Sequence, residues 1–107
     1  MFFYVFKGGG LPVYSPEFSR GGLDGLFSVY VWQILNTPTL TITLEGRADE
    51  GTSFATVGTF TSITTPGNKT TLQTALPQIL RYKFEVAGAS DHSGVAIELL
   101  DPVYRNG

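Results

Sequence analysis

Thr39-Leu40-Thr41-Ile42-Thr43-Leu44-Glu45 is the stretch that decides the fold class. Leu40, Ile42 and Leu44 alternate with three threonines and a glutamate. A period of two sends one set of side chains to a core and the other to water, which is a half-buried strand. The pattern returns at Leu80 to Val86, where Leu80, Tyr82, Phe84 and Val86 share one face and Arg81, Lys83 and Glu85 the other. Val95, Ile97 and Leu99 form a last inward row, which Pro102 is expected to end. Between these strands, Gly46 to Thr52 and Thr64-Thr65-Pro66-Gly67-Asn68 read as turns. Pro presets φ in the second of them, and Gly tolerates the positive φ of the next corner. A strand from Ser53 to Phe60 carries Phe54, Val57 and Phe60. That spacing of three breaks the alternation and predicts a β-bulge or strand change near Gly58. A weaker strand is expected over Lys69 to Thr74, and Gly88 to Gly94 turns the chain. No window keeps a helical period. The pattern predicts an all-β chain, folded as an antiparallel β-sandwich with turns about every ten residues.

Upstream, Leu26 to Leu35 is apolar on both faces. Phe27, Val29, Val31 and Leu35 lie on one, and Leu26, Tyr30, Trp32 and Ile34 on the other. Such a strand belongs mid-sheet, with a second layer over each face or a partner covering the outside. Residues 7 to 25 differ again, with six glycines and two prolines in that span. They predict an irregular arm, yet Leu11, Val13, Tyr14, Phe18 and Leu23 are too apolar for a solvated linker. Either the chain's own sandwich or another subunit must order it. The expected division is an N-terminal strand and extended Gly/Pro-rich arm over 1–25, and a sandwich domain over 26–107.

The totals narrow the chemistry. A length of 107 residues suits one domain with one modest core. Only 15% of residues are charged, against about 25% in ordinary domains, and 13 glycines and 13 threonines fill the gap. A surface so poor in charge hints at assembly. The net charge of −2 and seven scattered basic residues argue against nucleic acid as a partner. The absence of cysteine removes disulfides, thiolate catalysis and thiolate metal sites. A single histidine, His92, leaves little for a transition-metal centre. Met1 to Gly8 is too short and lacks the basic start of a signal peptide, and no apolar run approaches the roughly 20 residues of a membrane helix. A soluble protein made without an export signal, with no membrane partner, is the expectation.

Ser90-Asp91-His92-Ser93 holds every residue type of a serine triad, but neighbours in sequence do not converge on one reacting atom; the stretch reads as a turn. Glu45, Glu85 and Glu98 lie on outward strand faces with Arg81 and Lys83, so cross-strand charge pairs account for them. Asp49-Glu50 lacks the spaced acids of a calcium loop. Gly8-Gly9-Gly10 and Arg20-Gly21-Gly22 do not lie between a strand and a helix, as phosphate loops do. No catalytic residue, cofactor or metal is expected, and the chain does not read as an enzyme. Aromatic surface remains. Phe2, Phe3 and Tyr4 are consecutive and cannot all face inward, while Tyr30 and Trp32 share the second face of the apolar strand. With Leu11, Tyr14 and Phe18 of the arm, they form the expected protein-interaction set.

One longer pattern adds to this. Thr37-Pro38-Thr39 through Gly46, then Gly51-Thr52-Ser53-Phe54-Ala55-Thr56-Val57-Gly58-Thr59-Phe60-Thr61, then Leu80-Arg81-Tyr82-Lys83-Phe84-Glu85-Val86-Ala87-Gly88, occur in this order. The order resembles small jelly-roll proteins encoded among the virion genes of tailed phages and prophages. The resemblance covers residues 37 to about 100. It departs from the pattern at Phe54, where relatives often carry Trp, and at Gly94-Val95-Ala96-Ile97, where they tend to have a Ser-Phe pair. It implies a jelly-roll-like sandwich and a virion structural role, such as a capsid cement or decoration protein that binds and stabilises the major capsid protein shell. The implied partners are that capsid protein and copies of this chain, as dimers or trimers; the implied location is the capsid exterior after synthesis in the host cytoplasm. A tail, neck or fibre component would use the same sandwich. A carbohydrate-binding module also stays open, with Tyr30, Trp32 or the loops at 46–53 and 88–94 stacking a sugar.

Overall fold

The threonine-alternating stretch is the centre of a sheet. β5 (Thr39–Arg47) pairs along its whole length with β8 (Ile79–Ala87), so that Leu40 stands opposite Val86 and Leu44 opposite Tyr82. β6 (Ala55–Ile63) flanks β5 on its other side. The far edge of β8 carries two short strands end to end, β2 (Val13–Tyr14) and β3 (Phe18–Ser19). These strands make sheet I. The computed structural model describes residues 2–7, 13–35, 39–87 and 94–105.

Sheet II is built on the long apolar strand β4 (Asp24–Leu35). β7 (Gly67–Gln73) pairs with one side of it. β9 (Gly94–Leu99) and β10 (Val103–Arg105) line up along the other side, and β1 (Phe2–Lys7) lies outside β9. Every pairing in both sheets is antiparallel, and no helix occurs among the described residues.

The two sheets share one core, a sandwich-like arrangement. Phe27, Val29 and Val31 of β4 and Val95, Ile97 and Leu99 of β9 are buried with Leu40, Ile42, Leu44, Leu80, Tyr82 and Phe84 of sheet I. The Phe27 and Tyr82 rings meet edge to face across the layers, 6.5 Å between centroids. Fully burying one such side chain stabilises by about 1.5–3 kcal/mol, so these alternating rows supply the main driving force for folding. Thr43, expected on the solvent face, is buried as well, because β5 is central and Thr59 and Lys83 flank it.

Irregularities fall where the sequence breaks its own period. Leu44 pairs with Gly58 and Glu45 with Thr56, which leaves Val57 as the extra residue of a bulge beside the expected Gly58. β4 is bulged at Trp32, since Val31 faces Ile97 and Gln33 faces Ala96. Pro102 interrupts the last strand rather than ending it. The Leu100 amide donates to the Ser28 carbonyl across the break, and pairing resumes at Val103 opposite Leu26. Pro102 has no N–H to give the ladder, but the chain needs only a short detour around it. Gly67, after Pro66, has φ +135°, the turn conformation its position predicts. Ala75 also has positive φ, 51°, and the bend delivers Leu76 into the core.

The described part of the Gly/Pro-rich stretch lies along the chain's own β8. Ser15 holds the join between β2 and β3. Its amide donates to the Tyr82 carbonyl (2.9 Å), its Oγ accepts the Tyr82 amide (2.8 Å), and the same hydroxyl donates to the Pro16 carbonyl (3.0 Å). The Arg20 amide then donates to the Gln78 carbonyl, and the Leu76 amide to the Leu23 carbonyl. The side chain of Arg20 donates to the Leu76 carbonyl, tying the segment before β4 to the bend before β8.

Candidate protein-interaction face

Alternation along β4 has two consequences. Phe27, Val29 and Val31 point into the core, so Leu26, Tyr30 and Trp32 point out of sheet II. In the outer row, Leu26 stands opposite Leu72 of β7 on one side and Val103 of β10 on the other. Direct cross-strand partners lie close enough to form one continuous apolar strip. All three are open to water, Leu26 at 39%, Leu72 at 56% and Val103 at 68% of their surface. Gly25, Tyr104 and Arg105 complete a shallow groove along this strip, of about 280 Å³.

Farther along β4 lies an aromatic pair. Tyr30 and Trp32 sit with ring centroids 4.7 Å apart and planes tilted by 60°. Trp32 is 55% exposed, and its Nε1 donates to the Glu98 carboxylate at 3.1 Å. The bulge sets this geometry, because the extra residue turns the indole toward β9. Between strip and pair, the outward positions carry Ser28, Asn68 and Thr70. At the lower end, Arg105 and Asp24 are cross-strand partners, 3.5 Å apart. Charge on this face comes from the Arg105–Asp24 pair at one end and from Glu98, which stands opposite Tyr30. A second layer over the outside of β4, one of the two covers that the apolar strand predicts, is absent among the described residues.

Of the expected interaction residues whose side chains are described, Tyr14 and Phe18 belong to sheet I, and Tyr30 and Trp32 to the outer face of sheet II. Phe2, Phe3 and Tyr4 are in β1, opposite Leu99, Glu98 and Ile97. Leu11 lies outside the described residues. Tyr14 is exposed but belongs to sheet I, where the Arg81 guanidinium sits 4.1 Å over its ring. Phe18 is half-buried and packs on the core, 5.7 Å from the Tyr82 ring. Tyr30 and Trp32 are in contact with each other. Leu26, Leu72 and Val103 were missing from the expected set. The alternation of Asn68, Thr70 and Leu72 was a signal for Leu72, while Val103 is recognised only once β10 is seen beside β4.

Sheet I's outer face is occupied by its own charges. Phe54 packs between Arg47 (4.6 Å) and Arg81 (3.8 Å), so the turn aromatic is held by cations. Arg81 pairs with Glu45 at 2.9 Å and Arg47 with Glu17 at 2.7 Å, while Lys83 lies 3.6 Å from Glu85. The cross-strand pair expected for Glu45 is therefore present. Asp49 accepts from the Gly51 amide and the Thr52 hydroxyl, each at 2.9 Å, which uses its carboxylate to close the turn. The Ser90-Asp91-His92-Ser93 stretch and the loop at 88–93 lie outside the described residues. Among those described, no group of three His, Asp or Glu residues could hold a metal ion, and no helix is long and apolar enough to cross a membrane.

Comparison with family models, with curated proteins and with solved structures finds no match for this chain.

Proposed function

We propose that this chain is a structural protein that works by assembly, through the outer face of sheet II, as a capsid cement or decoration protein does. Exposure of Leu26, Leu72 and Val103 as one cross-strand strip, beside the Tyr30–Trp32 pair, carries the reading. Single exposed apolar residues are ordinary, but a contiguous patch on a monomer points to a partner. The uncharged strip, with Ser28, Asn68 and Thr70 beside it, lets a second protein surface approach there without stripping water from charges. The partners of this reading are copies of the chain, as dimers or trimers, and a major capsid protein shell.

The strand order supports the jelly-roll form of the sandwich. With β2–β3 and β9–β10 each taken as one interrupted strand, the sheets run β1, β9–β10, β4, β7 and β2–β3, β8, β5, β6. Successive strands then alternate between the sheets except at β5 and β6, which are neighbours in sheet I. This is the order that an antiparallel ribbon wrapped around a barrel produces.

Light scattering on the eluting protein tests the assembly. The wild type is expected to elute as a dimer or trimer, and Leu26→Lys with Leu72→Lys as a monomer with unchanged far-UV circular dichroism. A monomeric wild type that also fails to bind purified capsid shells would reject the proposal. Many copies per purified particle, rather than a few at one vertex, would separate a capsid role from a tail or fibre role. The exposed Trp32 ring favours one second reading, a carbohydrate-binding module. Its 60° tilt to Tyr30 leaves one stacking face rather than a flat platform. Glycan-array binding lost in a folded Trp32→Ala variant would select that reading.

A further inference from the structure

The outer face of sheet II carries opposite charges on either side of Ser28. Toward the start of β4, Arg105 stands opposite Asp24; toward its end, Glu98 stands opposite Tyr30. β9 and β10 lie along the same side of β4, so both charges are on that side. Neither is fully engaged within the chain. Arg105 has 69% of its side chain in water and comes no closer to Asp24 than 3.5 Å, longer than a charge-assisted hydrogen bond. Glu98 accepts the Trp32 indole N–H at 3.1 Å and has no cation partner among the described residues.

A sheet face that packs on its own copy is related to it by a two-fold axis lying in the face. If that axis ran along β4, the upper ends would meet. Glu98 would then face the partner's Asn68, and Arg105 would meet no acid of the other chain. If the axis crosses the strands at Ser28, the ends exchange while the β9–β10 side stays over the β9–β10 side. Leu26 then rests against the partner's Tyr30, two positions from Ser28 in the opposite sense. Arg105 falls level with the partner's Trp32, two residues or about 7 Å along the strand from the partner's Glu98. An arginine side chain spans that distance with its guanidinium over the indole, as Arg81 lies 3.8 Å over Phe54 on sheet I.

We propose that the occupant of this face is a second copy of the chain, turned end for end about a two-fold axis across β4 at Ser28, with Arg105 of each copy held by Trp32 and Glu98 of the other. The inference rests on the assembly reading above and gives it a partner and an orientation. Apolar contact between Leu26 and Tyr30 supplies adhesion, and the two symmetric Arg105–Glu98 pairs select this orientation over the strand-parallel one.

Single thiols report the orientation, because the full chain has no cysteine of its own. Thr70 stands beside Ser28, so the axis across the strands brings Thr70 to the partner's Thr70. Thr70→Cys should be joined into a covalent dimer by a short bis-maleimide, and Tyr30→Cys should not. The strand-parallel axis reverses the two results, and that reversal would overturn the proposal. In sedimentation equilibrium, Arg105→Glu should raise the dimer Kd at least about 10-fold, since two attractive pairs become repulsive. Adding Glu98→Arg to it should restore Kd to within about 3-fold of the wild type. An unchanged Kd in Arg105→Glu, or a wild type that is trimeric or monomeric, would also overturn the proposal. A monomer that still binds purified capsid shells would end this inference and leave the assembly reading standing.

Discussion

Tyr82 combines three roles that usually fall to different residues. Its ring packs in the core, its backbone holds Ser15 through two hydrogen bonds, and its hydroxyl is buried without a partner among the described residues. Burial, and secondarily the nearby Tyr104, raise the pKa of that hydroxyl well above the ordinary tyrosine value. In the unfolded chain the phenol ionises near pH 10, whereas in the folded chain it holds its proton longer. The favourable difference is fully present below about pH 10 and is lost as the pH rises from there through the folded value. Tyr104, raised by burial and partly offset by the Gly21 hydrogen bond, contributes in the same direction. Thermal melts across the alkaline range should show the midpoint falling above about pH 10, with a shallower fall in Tyr82→Phe. At neutral pH the same variant should be no less stable, and up to about 1 kcal/mol more stable, because it removes an unpaired polar group and keeps the ring.

At the scale of elements, the β2–β3 edge depends on a side chain standing in for backbone. Ser15 Oγ accepts the Tyr82 amide just before Pro16 (2.8 Å), where the chain bends out of register. Ser15→Ala leaves that buried amide without an acceptor and should cost about 1–3 kcal/mol in urea unfolding. Faster hydrogen exchange at Tyr82 than elsewhere in β8 would locate the loss at this edge. An unchanged exchange rate there would remove Ser15 from the account. The dependence also explains what could and could not be read in advance. β5, β8 and β9 were legible because one of their faces lies on the core and alternation reports that directly. The bulge in β6 was legible because Phe54, Val57 and Phe60 break the period. β2 and β3 were not, since their glycine and proline neighbours suppress strand propensity and their pairing rests on a contact 67 positions away in sequence. The outer strip was legible only in its Leu26 member. Leu26, Leu72 and Val103 come from three distant segments, and only the register of β4 with β7 and β10 brings them together.

For the whole molecule, the decisive fact is that both sheets bury their inward rows in the same core. Neither can keep its apolar face covered without the other, so the described strands should unfold as one cooperative unit. Far-UV and near-UV tyrosine circular dichroism should therefore give coincident transitions with denaturant; separated midpoints would mean that the sheets, or the β2–β3 edge, melt on their own. Shared burial also accounts for the modest use of charge. With 15% charged residues, the chain spends several of them on pairs that clamp Phe54 and the turn after β5. Few are left to keep the opposite, outer face of sheet II in water.

The bulge at Trp32 has an optical consequence. The chain has one tryptophan, and it stands on the surface with 55% of its area in water. At that exposure its emission in the folded protein is expected to be that of a wet indole, so a melt followed at tryptophan wavelengths should look nearly flat while the core comes apart. The event this residue is placed to report is contact. A blue shift would signal that something had come to rest on the outer face of sheet II, which makes the native chain its own unlabelled sensor of assembly.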